Sequence, residues 1–139
     1  MDAVICEMDG TRMAVDLSLV RQVVRLGPVT PIPGAPAAVA GACHVGGRVV
    51  PVIDVGVLHG RGPSAPALGE SGLLVEHGGQ PAILLAGRVE AVARLPEGGA
   101  AEDSSRPLPL LDVAQLFDRV GAQVAEASQR FRGVTGADA

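Results

Sequence analysis

Apolar and polar positions change rhythm several times along this chain, and each change marks an element. Val4 to Met8 alternate modestly and meet Asp9-Gly10, a pair that favours a tight hairpin turn; Arg12 to Val15 return as the second strand. Asp16-Leu-Ser-Leu reads as a turn or a short helical hop, and Val20 to Leu26 resume an extended pattern. The segment from Gly27 to Pro36 is too rich in proline for a helix or a regular ladder. Val39 to Val45 and Arg48 to Ile53 then predict a second hairpin about Gly46-Gly47, and Gly60 to Gly69 a loose linker. After Asp112 the rhythm becomes helical. Val113, Leu116, Phe117, Val120, Val124, Ala127 and Phe131 step by three or four residues, an amphipathic helix weakened at Gly121 by roughly 1 kcal/mol relative to alanine. Its apolar stripe is expected to pack on the rest of the chain.

The second half repeats the first. EMDGTRMAV, from Glu7, aligns with EHGGQPAIL, from Glu76, at an offset of 69 residues, and VRQVVRL from Val20 aligns with VEAVARL from Val89 at the same offset. RVVPVIDV and RPLPLLDV, ending at Val55 and Val113, are offset by only 58. The second copy therefore lacks 11 residues, which the alignment assigns to one strand and its turn near VAGACHVGG. The repeat also interprets Asp54 and Asp112. Each closes an apolar strand and opens a helical pattern, so both are expected as helix caps, accepting from backbone N–H groups of the first turn for about 1 kcal/mol each.

Composition narrows the chemistry. The chain has 139 residues, 47% of them hydrophobic, with two Phe and no Tyr or Trp, so its core must be built from Val, Leu, Ile and Ala. All 11 basic residues are arginine, the net charge is −4, and the arginines are scattered, which leaves no basic face or stacking aromatics for nucleic acid. No apolar run approaches the roughly 20 residues of a membrane span, and the N-terminus has no basic leader, so a soluble cytoplasmic protein with reduced, buried Cys6 and Cys43 is expected. An enzyme assembled from Cys43, His44, Asp54 and Ser64 is disfavoured because adjacent strand residues face opposite ways and Ser64 sits in the linker. His44, His59 and His77 lack ligand spacing. Neither a metal nor a cofactor is expected.

The stretch from Val29 to Val55, VTPIPGAPAAVAGACHVGGRVVPVIDV, resembles the central motif of CheW-like domains; Gly72 to Pro96 and PLPLLDVAQLF resemble the start and end of that family's second half. The resemblance implies a mainly β protein: two intertwined, pseudo-duplicated SH3-like barrels, the second shortened, plus the C-terminal helix. It places one domain over residues 1–132, with subdomains of about 12–60 and about 70–118, the latter borrowing an N-terminal strand, and a disordered tail at 133–139. It also implies a non-catalytic cytoplasmic adaptor between a chemoreceptor's signalling tip and the regulatory domain of a histidine kinase. Val20, Gly41, Gly46, Val89 and Val92 match the family's receptor-binding groove, and Gln22 a kinase-facing position. Core packing of the three valines and a close backbone approach at Gly41 are compatible readings. Three departures stand out: His44 replaces the family's asparagine, Gly46 its frequent arginine, and Gln22 a frequent acid. With the missing stretch, which would remove strand edge that the family uses in kinase contact, they predict a divergent adaptor that keeps receptor binding with weakened or lost kinase coupling; a competitor that occupies receptors and limits array assembly is the alternative. The short form is similar to the small adaptors of Frizzy-type motility pathways, and strand edges exposed by the shortening favour self-association.

Overall fold

The computed structural model describes residues 1–8, 10–62, 66–95, 101–103 and 106–134; side chains are described to residue 124 apart from those of 101–107. Asp9, Ser64 and the tail beyond Val134 lie outside the described residues. Ten strands run in chain order: β1 (Asp2–Met8), β2 (Thr11–Asp16), β3 (Val20–Arg25), β4 (Val39–Val45), β5 (Arg48–Ile53), β6 (Ser71–His77), β7 (Gln80–Leu85), β8 (Arg88–Arg94), β9 (Ala101–Asp103) and β10 (Arg106–Leu108). Two α-helices complete the described residues, the single-turn α1 (Val55–Leu58) and the long α2 (Val113–Val134). The hop after Asp16 is a 3-10 turn at Leu17–Leu19, capped by the Asp16 carboxylate on the Ser18 N–H at 2.9 Å. Both the β4–β5 and β6–β7 turns are two-glycine turns with positive φ, Gly46-Gly47 at 55° and 79° and Gly78-Gly79 at 57° and 77°, the conformation that a right-twisted hairpin selects.

The sheets do not divide at the linker. β3, β6, β7, β5 and β4 form one five-stranded sheet in that order, while β1 and β2 join β8. Each half gives its first hairpin to the other half, so the division into about 12–60 and about 70–118, even with a borrowed N-terminal strand, cuts across both larger sheets. An exchange in which either copy does to the other what is done to it is close to a twofold operation. The ladders follow it residue by residue. Val20 pairs with Val75 and Val89 with Cys6; Val23 pairs with Leu73 and Val92 with Val4; each pair maps onto the next through the offset of 69. Both β3 and β8 carry an irregularity at the same point, where Arg21 and Glu90 stand as the extra residue. The parallel contact of Val52 with Ile83 has its counterpart in the bridge between Leu110 and Ala14.

The 11-residue deficit removes no strand. The counterpart of the β4–β5 hairpin is present as β9–β10, cut from seven and six residues to three each and forming a two-stranded sheet of its own. Pro107 pairs with Glu102 there without an N–H to donate, which suits a short, peripheral ladder. The tail assignment is also adjusted, since Gly133 and Val134 belong to α2.

Three apolar clusters follow from this topology. The largest draws Val4, Cys6 and Met13 from the first half and Leu73, Val75 and Leu84 from the second, and is closed by Val113, Leu116 and Val120 of α2. Val24, Val50, Val52 and Ile83 fill the five-stranded sheet, whereas the smaller third cluster is Ala3, Ile5, Ala14, Leu95 and Leu108. The largest cluster is therefore common property of both halves, and the helix expected to pack internally does so through its first two turns.

Candidate functional site

Val20 on β3 and Val89 on β8 both pack, partly buried, against the shared cluster. Three residues along each strand, Val23 and Val92 are 50% and 61% exposed although their ladder partners, Leu73 and Val4, lie in that same cluster. Side chains directly opposite on a ladder share a face. The four valines thus form two equivalent pairs, inner and outer, flanking the core that joins the halves. Both outer valines stand on edge strands of their sheets. Val23 was not among the residues singled out by the sequence, although the 69-residue offset that aligns it with Val92 was the signal that would have found it.

The other expected site residues lie elsewhere. Gly41 is buried on β4 with φ of 154°, and a Cβ there would stand 2.5 Å from the Thr30 carbonyl oxygen, which is held at the strand edge by reciprocal backbone bonds of 2.9 Å with Ala42. Its need for glycine is a close backbone approach. Gly46 occupies the exposed β4–β5 turn, where a Cβ would meet nothing within 4 Å. Gln22 is exposed on β3, but its ladder partner Leu74 packs on the cluster of the five-stranded sheet, so it faces away from the valines.

Both aspartates close helix starts. The Asp54 side chain, 4% exposed, accepts from the Gly56 N–H at 3.1 Å, and its own N–H donates to the Ala38 carbonyl at 2.8 Å. Asp112 accepts from the Gln115 N–H at 2.9 Å, while its carbonyl takes the Leu116 N–H at 3.0 Å. Arg119 then reaches from α2 to the Leu58 carbonyl at the end of α1, 2.6 Å away. The two repeat-related helix starts are fastened to one another.

The repeat also generates two matching hollows of about 240 Å³ each. Thr11, Met13, Leu58, His59, Pro109 and Leu111 line the first, and their counterparts Gln80, Ala82, Leu116, Phe117, Pro51 and Ile53 line the second. In the second, Phe117 meets His77 edge-on with centroids 5.6 Å apart, which gives that histidine a packing role. Cys43 is buried and His44 exposed, on opposite faces of β4, and the Cys43 thiol points at the His44 carbonyl at 3.8 Å. Burial, and to a smaller extent the nearby Glu90 carboxylate, push the Cys6 thiol up to about 11, which keeps it protonated and unreactive near neutrality. Among the described residues no three His, Cys, Asp or Glu come together as a metal site, and no helix is long and apolar enough to cross a membrane.

The fold is mainly β and pseudo-duplicated, with hairpins exchanged between its halves and exposed valines on the edge strands β3 and β8 beside a shared core. The profile of the CheW-like domain matches residues 2–102, and the chain belongs to that family. Its role is that of an adaptor in chemotaxis signalling. In fold it is similar to the scaffolding protein TtCheW from Thermoanaerobacter tengcongensis, with a TM-score of 0.73 and 22% identity over 84% of this chain and 86% of that one. None of the curated proteins matches the sequence.

Proposed function

We propose that this protein is a non-catalytic, cytoplasmic adaptor that lays the signalling tip of a chemoreceptor along the valine strip of β3 and β8. The observation that carries this is the pair of outer valines, Val23 and Val92, exposed at equivalent positions over a core shared by both halves. A helical hairpin laid on such a strip would bury both outer valines, and burying apolar area of this size supplies affinity while polar rims set the register. Coupling to the kinase's regulatory domain is weakened. Gln22 offers no charge where the family commonly places an acid, and β9 and β10, at three residues each, present little strand edge. A small Frizzy-type chemosensory pathway suits an adaptor of this form.

The same short hairpin favours a second reading, in which the protein occupies receptors without recruiting kinase and so limits array assembly. Calorimetric titration against a receptor cytoplasmic fragment and, separately, the kinase regulatory domain tests both. Binding to receptor alone, lost on Val23→Glu or Val92→Glu, supports the proposal. Equal binding to both partners would make it an ordinary coupler, and no binding to receptor would remove the reading altogether. Receptor clusters that shrink as this protein is overproduced would select the competitor.

A further inference from the structure

The repeat carries one half so closely onto the other that departures from it become informative. Two positions beyond each outer valine stands an arginine, Arg25 on β3 and Arg94 on β8, again 69 residues apart. Two residues along a strand share a face, so each arginine lies just beyond the outer valine on the same face of its own strand. Their ladder partners differ. Arg94 lies opposite Asp2, and its Nε donates to Asp2 Oδ1 at 3.3 Å. Arg25 lies opposite Ser71, which carries no charge, and has no ion-pair or side-chain hydrogen-bond partner among the described residues. The strip is therefore symmetric in its valines and asymmetric in charge: one end is compensated, the other holds an exposed, uncompensated guanidinium.

We propose that Arg25 reads the direction of the bound partner by pairing with a carboxylate on it. The inference rests on the reading that a chemoreceptor hairpin docks on this strip. Two antiparallel helices are themselves close to twofold symmetric, so apolar contact with four equivalent valines would accept the hairpin either way round. A carboxylate on one arm meets Arg25 in one direction and the already neutralised Arg94–Asp2 pair in the other. Rim charges of this kind add little to total affinity, yet the difference between the two directions is what selects one. The guanidinium's fixed fork suits a carboxylate better than an ammonium would.

The test uses the full chain and a soluble chemoreceptor cytoplasmic fragment from the same genome. Affinity is measured at low and at physiological salt for the wild type, Arg25→Ala, Ser71→Asp and Arg94→Ala. Ser71→Asp gives Arg25 the neighbour that Arg94 already has, and so restores the symmetry by a route that leaves the arginine in place. Direction is read from a spin label at Leu68→Cys, an exposed site beside the β3 end, where the Gly69 N–H bonds to Leu26, against fragment labels on either arm. In the wild type one arm approaches the label. In Arg25→Ala and Ser71→Asp both arms approach it in comparable proportion, affinity falls about two- to fivefold, and its salt dependence weakens. Arg94→Ala, which bares the Asp2 carboxylate at the other end, keeps the single direction. A single direction kept by both Arg25→Ala and Ser71→Asp overturns the proposal while leaving receptor binding intact. A wild type that does not bind the fragment overturns the adaptor reading and this inference with it.

Discussion

Individual residues record how the two copies diverged inside one plan. Gly72 and Ala3 occupy the same repeat position, and so do Ile83 and Ala14. A Cβ on Gly72 would come within 2.5 Å of Ile83 Cγ2, whereas Ala3 lies in a cluster where Ala14 has surrendered that volume. The five-stranded sheet thus pairs a large residue with none, and the other sheet two small ones. Cys6 shows the same economy in electrostatic terms. It is fully buried in the shared cluster, and its thiol is pushed up to about 11 from an ordinary 9.0, first by burial and then by Glu90. A raised pKa in the folded state means that folding retains a proton that the unfolded chain loses. The associated stability is complete below pH 9 and drains away as pH rises towards 11, by roughly 2–3 kcal/mol. The chain has neither lysine nor tyrosine to obscure that window. Urea unfolding from pH 8 to 11 should show the decline in the wild type and a distinctly flatter profile in Cys6→Ala, which begins from a lower stability because it leaves a small cavity.

At the level of elements, the periodicity placed most of what is present. The hairpin about Gly46-Gly47, the hop after Asp16 and the start of α2 all depend on neighbours within a few residues, and such local chemistry is written in the order of the chain. The missing 11 residues were harder to interpret. An alignment counts residues but does not say whether a hairpin loses a strand or loses length from both, and Pro107 and Pro109 hid the remnant, because proline in a short run argues against a ladder. The valine strip fell between these cases. Val20, Val89 and Val92 could be found by resemblance, but an exposed valine and a buried one look alike in sequence, so Val23 emerged only once its ladder partner was known. Caps, by contrast, were plain. Their energies should differ with burial. Asp112→Ala on the exposed start of α2 should cost about 1 kcal/mol. Asp54→Ala, which leaves the buried Gly56 N–H without its side-chain acceptor, should cost about 2 kcal/mol or more. Chemical denaturation of the two variants, with Asp54→Asn and Asp112→Asn as isosteric controls, checks both the size and the order. Equal losses would show that the burial of Asp54 carries no extra weight.

The molecule as a whole is organised by a feature that no local pattern encodes, the exchange of hairpins. The first two strands of each half have the same alternation and the same turn chemistry, so sequence alone does not say which sheet receives which hairpin; only the ladders of β1 with β8 and of β6 with β3 settle it. Neither half retains the larger sheets when separated, because β3 and β5 pair with β6 and β7, while β8 pairs with β1. Nor does either keep a core, since the shared cluster draws on strands from both and on α2. Two consequences follow for a chain cut in the linker between Gly62 and Pro66. Each fragment alone should lack cooperative unfolding and a native β spectrum, having lost the strands that its own strands pair with. Mixed at equal concentration, the fragments should recover both, since the cut removes no ladder and no cluster among the described residues, only a covalent connection. The reconstituted pair should also bind the receptor fragment, because the valine strip takes one strand from each half. Circular dichroism and the same calorimetric titration provide the readout. An isolated fragment that folds and melts cooperatively would mean that the hairpins can return to their own half, and that the exchange is one of two accessible arrangements.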